Sequence, residues 1–578
     1  LKDGGASIES GGDFLLRPAP SGLNIGTDTM RNEKAFPTLD DEDLKQLMPH
    51  ALCECFDAGK SILHFGQADI DLIVIEHGSV EIRNPVDGNR LIVTHGPGEF
   101  VGDIDLLTRR PIIVDVVAAG DGAGGPTRIV RVPGDRLRKV LNTVPRLGEK
   151  LIDAIQARRE ELAKARVMGI RVIGPGGCSD TNMVREFFYK NFVPFTWTDS
   201  ATGEGIALLK ELGNGRFPVV DCGGGSVLHG PTLSEVAKRA GVWRGCPEQE
   251  VDLAIVGAGP AGLAAAVYAA SEGLKTVVLD KLGPGGQAGG SSKIENFIGF
   301  PSGLSGTALA TRGVLQMLKF GAQMIAPVKV MSMEVAADDQ SPHRLHLDCG
   351  VALSAFTVLA ATGVRWRRLP AEGADRFERA GIYYACTLVE AGLHEHCDVA
   401  VVGGGNSAGQ AVMFLAERDR ERRVHLLVRR ELGPGMSEYL VNRIRKSPNV
   451  VVHENVEVSA VRGERRLESI ELSDKQTGQT RGLEVQGVFV FIGAEPHSDW
   501  MPAAVLRDEQ GYVLSGTEVA RSGKWPLAER DPCPLETTVP RLLVGGDLRS
   551  GSTKRVGFAV GDGSLAVTCA HRLRVRHS

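Results

Sequence analysis

The sequence predicts a multidomain chain: an N-terminal β-roll with helices, a small α/β domain, and then two nested α/β units that each bind a dinucleotide. Three observations predict it. Two separate strand–glycine loop–helix–strand stretches, at 251–280 and 397–430, carry the fingerprint G-x-G-x-x-G or its G-x-G-x-x-A variant. Residues 56–119 break into short β-rich runs such as 71–75 and 90–94, separated by turn signals. Residues 166–242 change period again, in the order β-α-β-α-β-β-α.

Length and composition agree with this division. At ~150 residues per domain, a chain of 578 residues suggests about four domains. An apolar content of 42% and a charged content of 24% are ordinary for globular protein. A net charge of −5 argues against a general nucleic-acid binder, and the short arginine-rich end from His571 to His577 is expected to be a solvated tail. No apolar run approaches the ~20 residues of a membrane span, and Leu1 to Arg31 is polar and Gly-rich, without a secretory pattern. The ten cysteines include no C-x-x-C pair, which suits a reducing compartment and argues against a disulfide framework or a structural zinc site. The expectation is a cytoplasmic protein with free thiols and no metal, membrane or nucleic-acid partner.

Segment 1–34 has few apolar residues and is expected to have little structure of its own. Segment 35–165 combines the β-rich runs with a charged helical segment from Asp135 to Arg166. On AGKSILHFGQADIDLIVIEHGSVEI and GEFVGDIDLLTRRPIIVDVVA it resembles the cyclic nucleotide-binding domain. That resemblance implies a Gly-Glu pair for the ribose and an Arg for the cyclic phosphate. The matching positions here are Gly102, Asp103 and Ile112. An apolar Ile112 cannot neutralise a phosphate, so cyclic-nucleotide binding is in doubt; Arg109 and Arg110 lie close enough in sequence to substitute. An altered sensor and a purely structural dimerisation or docking domain both stand open.

Segment 166–246 places Cys178-Ser179-Asp180-Thr181 at the start of a helix running to Lys190, with a hairpin around Pro218. It resembles the thioredoxin/glutaredoxin fold. The resemblance implies that Cys178 stands at the first active-site cysteine and Pro218 at the family's cis-proline. A thiol at a helix N-terminus has a lowered pKa and can serve as a nucleophile. Thr181 holds the second active-site position, which excludes C-x-x-C cycling and leaves a one-cysteine mechanism or a relic domain.

In the first fingerprint Gly257 permits the tight turn, Gly259 lets the backbone approach a pyrophosphate, and Gly262 lets helix and strand pack closely. Pro260 and Ala261 open the helix, whose free N–H groups and dipole favour phosphate. The second strand, Thr276 to Leu279, ends on Asp280, which can accept from ribose hydroxyls. From here on the chain resembles thioredoxin reductase and its low-molecular-weight flavoprotein relatives. The resemblance rests on GPGGQAGGSSKIENFIGFP, on Leu359–Gly363, and on LLVGGDLRSGSTKRVGFAVGDGSLA. It implies FAD contacts from Gln287, Asn296, Thr362, Gly363, Gly546 and Asp547, and a helix N-terminus near Arg555 and Val556 facing the flavin. It also implies an FAD unit in two parts, 247–366 and 494–578, a nicotinamide unit at 367–493 nested between them, a hinge near Gly363–Pro370 and Ile492–Pro496, and a homodimer.

The second fingerprint carries Gly403, Gly405, Asn406, Ser407 and Ala408. The strand after it ends on Arg429 and Arg430, where two cations suit the 2′-phosphate of NADPH. Val428 and Pro434 depart from the family's His-Arg-Arg and its third Arg.

In thioredoxin reductase this unit also carries C-x-x-C. The aligned stretch is GIYYACTLVEA, and the two cysteines fall on Ala385 and Leu388; Cys386 sits one position away without a partner. Cys386 is read either as a lone flavin-adjacent thiol or as ordinary packing. The functional expectation is hydride transfer from NADPH to FAD and on to an unidentified acceptor: a small redox protein, a quinone or a flavin. Two alternatives stand beside it, a disulfide reductase relaying electrons through Cys178 and a redox or ligand sensor with little turnover.

Overall fold

The computed structural model describes residues 33–575 apart from 86, 87, 166–169, 224, 244, 246–249, 292, 339, 387 and 465. The expectation for 1–34 therefore lies almost wholly outside the described residues.

Two four-stranded antiparallel sheets face each other near the N-terminus. One runs in the order Leu52–Phe56, Thr127–Val132, Leu72–His77, Phe100–Val101; the other in the order Ser61–Leu63, Asp115–Gly120, Ser79–Asn84, Arg90–His95. Strands Ser79–Asn84 and Asp115–Gly120 alternate buried and part-exposed positions, so each turns one face to the core. The charged helical segment is two helices, Gly134–Thr143 and Pro145–Ala165. The break falls at Val144 because Pro145 fits the first turn of a helix but not its interior. Arg158 on the longer helix is buried, stacks 4.1 Å over the Phe100 ring and donates to the carbonyls of Ala35, Phe100 and Gly102.

A mixed sheet follows, in the order Phe195–Thr198, Ile170–Ile173, Val219–Asp221, Val227–His229. The first pair is parallel and the other two are antiparallel. Helix Ser179–Lys190 covers it with Val184, Phe187 and Phe188 in the core, and the Phe217–Pro218 peptide bond is cis.

The first dinucleotide unit is built on a seven-stranded sheet. Gln323–Ile325, Thr276–Leu279, Val251–Val256, Ala352–Ala360 and Leu542–Val544 are mutually parallel, and His343–Leu347 and Val330–Glu334 extend the sheet antiparallel. Both faces of the parallel strands are buried, which is why they read as near-continuous apolar runs. The second unit has a parallel five-stranded sheet, in the order Ile382–Tyr383, Gly487–Val490, Val399–Val402, Val424–Leu427, Val450–His453, and a separate three-stranded meander over 456–484. The two units are joined by a two-stranded antiparallel ribbon, Val364–Trp366 against Ala494–Pro496.

The domains pack on one another. One continuous apolar core takes in the β-roll, its helices and the helices of the first dinucleotide unit. Helix Ser179–Lys190 touches both units: Asn182 Nδ2 donates to the Arg379 carbonyl at 2.7 Å, and the Tyr189 hydroxyl meets Thr307 Oγ1 at 3.1 Å. The arginine-rich end is not a tail as far as it is described. Helix Val556–Val575 runs through it, held by His571–Glu272 at 2.8 Å and Arg574–Asp252 at 3.1 Å. Among the described residues no helix is long and apolar enough to cross a membrane, and no group of His, Cys, Asp or Glu is placed to hold a metal ion.

Candidate dinucleotide sites

Strand Val251–Val256 delivers its glycine loop to the C-terminal edge of the first parallel sheet. Gly257 has φ +108°, and a Cβ there would lie 2.4 Å from the Ala361 carbonyl oxygen. Only glycine permits both the conformation and the approach. A Cβ on Gly262 would lie 1.9 Å from the Gly257 oxygen, so the helix can sit against the strand only without one. Gly259 faces open space, its nearest neighbour being the Gly286 Cα at 3.9 Å, and a Cβ on Gly286 would close that gap to 2.9 Å from the Gly259 Cα.

Helix Pro260–Ser271 starts from Gly259 with no capping side chain. Elsewhere Thr202, Thr232 and Ser305 place side-chain oxygens on the N–H groups of their helices. The first-turn N–H groups behind Gly259 are left for an anion, with the positive end of the helix dipole behind them. Pro260 lacks an N–H at a position that has no use for one.

The three sequence motifs of this unit meet here. Gly257 abuts Ala361 and Thr362, while a Cβ on Gly546 would lie 3.1 Å from the Ala261 Cβ and one on Gly563 only 2.3 Å from the Ala261 oxygen. Thr362 donates its hydroxyl to the His497 carbonyl at 2.6 Å, and Gln287 Nε2 donates to the Val364 carbonyl, so both are anchored to the connecting ribbon. Gly363 takes φ +60° at the start of that ribbon. Asp547 is half-buried, and burial pushes its carboxyl above the ordinary carboxylate range, with Lys554 opposing and Asp562 adding. The last helix begins at Val556, next to exposed Arg555. Asn296 is exposed and makes none of the contacts that tie the other motifs together.

Asp280 has a second task. Its oxygens accept from the backbone N–H groups of Ala258, Leu282 and Gly283, each at 2.9 Å. It thereby fastens the glycine loop to the segment after its own strand, and a ribose hydroxyl would share a carboxylate already in use. Sequence reasoning missed Asp562, which accepts from Gly546 N–H at 2.9 Å and takes Arg549 in a bidentate pair at 3.0 and 3.1 Å. That pair fixes the turn carrying Asp547, and nothing local in the sequence announces it.

The second site repeats the first. Gly403 has φ +146° with a Cβ position 2.4 Å from the Phe491 carbonyl oxygen, the counterpart of Gly257 and Ala361. Helix Asn406–Arg418 starts from Gly405, again without a capping side chain. Asn406 Oδ1 accepts from Ser437 N–H at 2.7 Å, Ser407 is exposed and Ala408 is buried. Arg429 and Arg430 stand exposed at the end of strand Val424–Leu427, and neither forms an ion pair among the described residues.

The cysteines differ sharply. Cys386 is buried, and burial pushes its thiol far up, with Glu390 adding and Arg422 opposing, so it is held protonated. That argues against the catalytic reading of Cys386 and for packing. Cys178 is part-exposed at the N-cap of helix Ser179–Lys190, while Thr181 is fully buried. In the β-roll Ile112 is a core residue whose backbone pairs with Gln67, and the Arg110 guanidinium donates to the Asn191 carbonyl of the next domain. Arg110 thereby ties the β-roll to the next domain.

Two helix ends that open from glycine at the edges of parallel strands, on two sheets joined through a thin ribbon, are the equipment of a flavoprotein oxidoreductase fed by a nicotinamide dinucleotide. Residues 251–563, more than half of the chain, match the pyridine nucleotide-disulphide oxidoreductase family, and the chain belongs to it. Its cofactors are FAD and NADPH, and both glycine cradles fit a pyrophosphate. Residues 53–144 match the cyclic nucleotide-binding domain. Thioredoxin reductase of Treponema pallidum is 32% identical over 56% of this chain and 97% of its own length. NADH dehydrogenase of Bacillus subtilis is 31% identical over 60% of this chain, which spans only 64% of that relative's length. An alkyl hydroperoxide reductase component of Escherichia coli is 29% identical over 56% of this chain and 58% of its own length. The crystal structure of T. acidophilum thioredoxin reductase superposes with a TM-score of 0.50 at 26% identity, over 57% of this chain and all of that one.

Proposed function

We propose that this protein takes reducing equivalents from NADPH and passes them through FAD to an external acceptor, such as a small redox protein, a quinone or a flavin. The observation that carries the reading is the pair of positions Ala385 and Leu388, which hold no thiol where the related reductases keep their dithiol, next to a Cys386 that is buried and held protonated. Bound FAD and NADPH would supply the redox chemistry, hydride exchange between nicotinamide and flavin. The chain supplies position. Gly257, Gly259 and Gly262 admit one pyrophosphate to the helix at Pro260, and Gly403 and Gly405 admit the other at Asn406. Arg429 and Arg430, without ion pairs among the described residues, offer two cations to a 2′-phosphate. Residues 247–366 with 494–578 serve FAD, 367–493 serve NADPH, and the ribbon Val364–Trp366 with Ala494–Pro496 is the hinge between them. The FAD units form a homodimer in this reading.

A second reading routes electrons through Cys178. The strand order of segment 166–246, with Cys178 opening its first helix, supports a thioredoxin-like domain. That helix lies against the very segment that lacks the dithiol: Asn182 reaches the Arg379 carbonyl, and Glu186 lies 3.7 Å from the Arg379 guanidinium.

Anaerobic stopped-flow reduction by NADPH, followed by mixing with quinone and with disulfide acceptors, separates the two. On the first reading Cys178→Ser leaves quinone reduction at the wild-type rate. Loss of turnover with every acceptor in Cys178→Ser would establish the relay instead. Purified protein without flavin absorbance would end both.

A further inference from the structure

Arg429 and Arg430 are carried by a loop, residues 429–437, that leaves strand Val424–Leu427 and enters helix Glu438–Lys446. Its far end is tied to the second fingerprint, where Asn406 Oδ1 accepts from Ser437 N–H at 2.7 Å. Between its ends it runs beside the glycine loop: a Cβ on Gly405 would lie 3.9 Å from the Gly435 oxygen, and one on Gly435 3.8 Å from the Gly404 oxygen. Met436 is buried against the helix of the fingerprint, where a Cβ on Gly409 would lie 2.9 Å from its Sδ. All of these contacts fall on the half of the loop remote from the arginines. On the near half Leu432 is buried, and its backbone N–H donates to Glu454 Oε1 at 2.9 Å. Glu454 lies 22 residues further along the chain, so the fold makes this contact and local sequence does not.

Glu454 is itself fixed in place. It follows strand Val450–His453, which pairs in parallel with Val424–Leu427. Val428, the residue before Arg429, donates its N–H to the His453 carbonyl at 2.9 Å, and its own carbonyl accepts from Val456 N–H at 3.1 Å. Residues 454 and 455 are thus folded out between two bonds to Val428. The excursion requires a left-handed backbone at Asn455, φ +59°, a conformation that asparagine tolerates better than most side chains. The Asn455 carbonyl accepts from Lys475 N–H at 2.9 Å, which anchors the turn to the neighbouring meander. A hydrogen bond from a backbone N–H to a carboxylate is charge-assisted and stronger than one between neutral groups.

We propose that Glu454 is a positioning residue that sets the preference for NADPH over NADH. The inference rests on the reading of Arg429 and Arg430 as the contacts of the 2′-phosphate. With Glu454 in place, the backbone that carries the two arginines is fixed at Val428 before them and again at Leu432 after them. A phosphate that binds there does not have to order the chain bearing its partners, a cost that would otherwise be taken from affinity. NADH has no 2′-phosphate, makes no use of the pair, and is indifferent to the bond. The negative charge of Glu454 acts against a phosphate, while its hydrogen bond to Leu432 acts for one. The two are separable, because glutamine keeps the oxygen acceptor and drops the charge.

The test is calorimetric titration of the full-length protein with NADP+ and with NAD+. Glu454→Ala should raise Kd for NADP+ about tenfold and Kd for NAD+ less than about twofold. Glu454→Gln should stay within about threefold of the wild type for both. In Arg429→Ala/Arg430→Ala, adding Glu454→Ala should change Kd for NADP+ by less than about twofold, since the bond then has no arginines to place. If Glu454→Ala does not fold, Glu454→Asp withdraws the oxygens by one methylene and should shift the NADP+ to NAD+ ratio in the same direction. Equal losses for both nucleotides would make Glu454 merely structural, and tighter NADP+ binding in Glu454→Ala would make its charge the dominant influence; either overturns the proposal. Failure of the arginine reading is seen separately, as an unchanged nucleotide ratio in Arg429→Ala/Arg430→Ala. Failure of the proposal alone leaves that double substitution effective and Glu454→Ala without effect.

Discussion

The side-chain amide of Asn182 donates to the backbone carbonyl of Arg379 at 2.7 Å, and so joins the helix behind Cys178 to the unit that carries the second fingerprint. Asn182 also donates to the Gly176 carbonyl at 2.7 Å and accepts from Arg185 Nη1 at 2.8 Å. Replacing it by Ala strips both carbonyls and the guanidinium of a partner in a buried place, which costs about 1–3 kcal/mol per group left unsatisfied. Asn182→Ala should lower the melting temperature and speed amide exchange both in Ser179–Lys190 and around Arg379–Tyr383. Unchanged exchange on the Arg379 side would mean that the contact does not hold the domains together.

Ile112 is 5% exposed; its N–H donates to the Gln67 carbonyl and its own carbonyl accepts from Gly66 N–H. Ile112 is an apolar core residue where the resemblance implies an arginine, and the Arg110 guanidinium donates to the Asn191 carbonyl. Calorimetric titration of the whole protein with cyclic AMP and with cyclic GMP should give no saturable heat below about 100 μM, a standard-state affinity of roughly −5.5 kcal/mol. Clear micromolar binding of either would show that another group neutralises the phosphate. Helix Asp105–Thr108 in this cassette packs against helix Gly306–Phe320 of the first dinucleotide unit, which suits a docking role.

Arg429 and Arg430 are exposed and form no ion pair among the described residues, so removing them strips no described partner. Replacing both by Ala should raise KM for NADPH about 10- to 100-fold, the scale of one or two charge-assisted contacts. KM for NADH and kcat should change less than about threefold, because NADH carries no 2′-phosphate. Equal losses with both nucleotides would move the phosphate contact elsewhere.

What was legible in the sequence was what local sterics dictate. Gly257 and Gly403 announce themselves because a β-strand turning at once into a helix against a neighbouring strand has room for no Cβ; a Cβ at either would lie 2.4 Å from the carbonyl oxygen of Ala361 or Phe491. The start of helix Ser179–Lys190 after Cys178 was legible for a similar reason, a short polar run before an apolar helical period. Long-range polar contacts were not. Asp562 holds Gly546 from 16 residues away, and Arg158 reaches Gly102 from a helix whose charge pattern looks like any solvated surface. The arginine-rich end misled because composition is silent about Glu272 and Asp252, the acids that keep the helix going past His571. Asp280 was legible as an acid after a strand, but its three bonds to loop N–H groups depend on a loop conformation that no periodicity encodes.

His343 makes stability depend on pH. It is 1% exposed, its Nδ1 accepts from Ala336 N–H at 3.1 Å, and its Nε2 lies 3.1 Å from the Pro540 carbonyl. Those partners fix the neutral tautomer with the proton on Nε2, since a second proton on Nδ1 would displace the Ala336 bond. Burial, with Arg541 close by, lowers its pKa from 6.5 to about 4. Between these two values the unfolded chain binds a proton that the folded chain refuses, so stability rises with pH. The contribution is fully present above about pH 6.5 and is lost as the pH falls toward 4. At pH 5 the loss from this one group is about 2 kcal/mol. His394, buried and lowered to about 4 in the second dinucleotide unit, acts in the same direction. Thermal unfolding should therefore show a melting temperature that falls steadily from pH 7 to pH 5, and His343→Gln should flatten that slope even if it lowers stability at pH 7. An unaltered slope in His343→Gln would show that His343 titrates alike in the folded and unfolded chain.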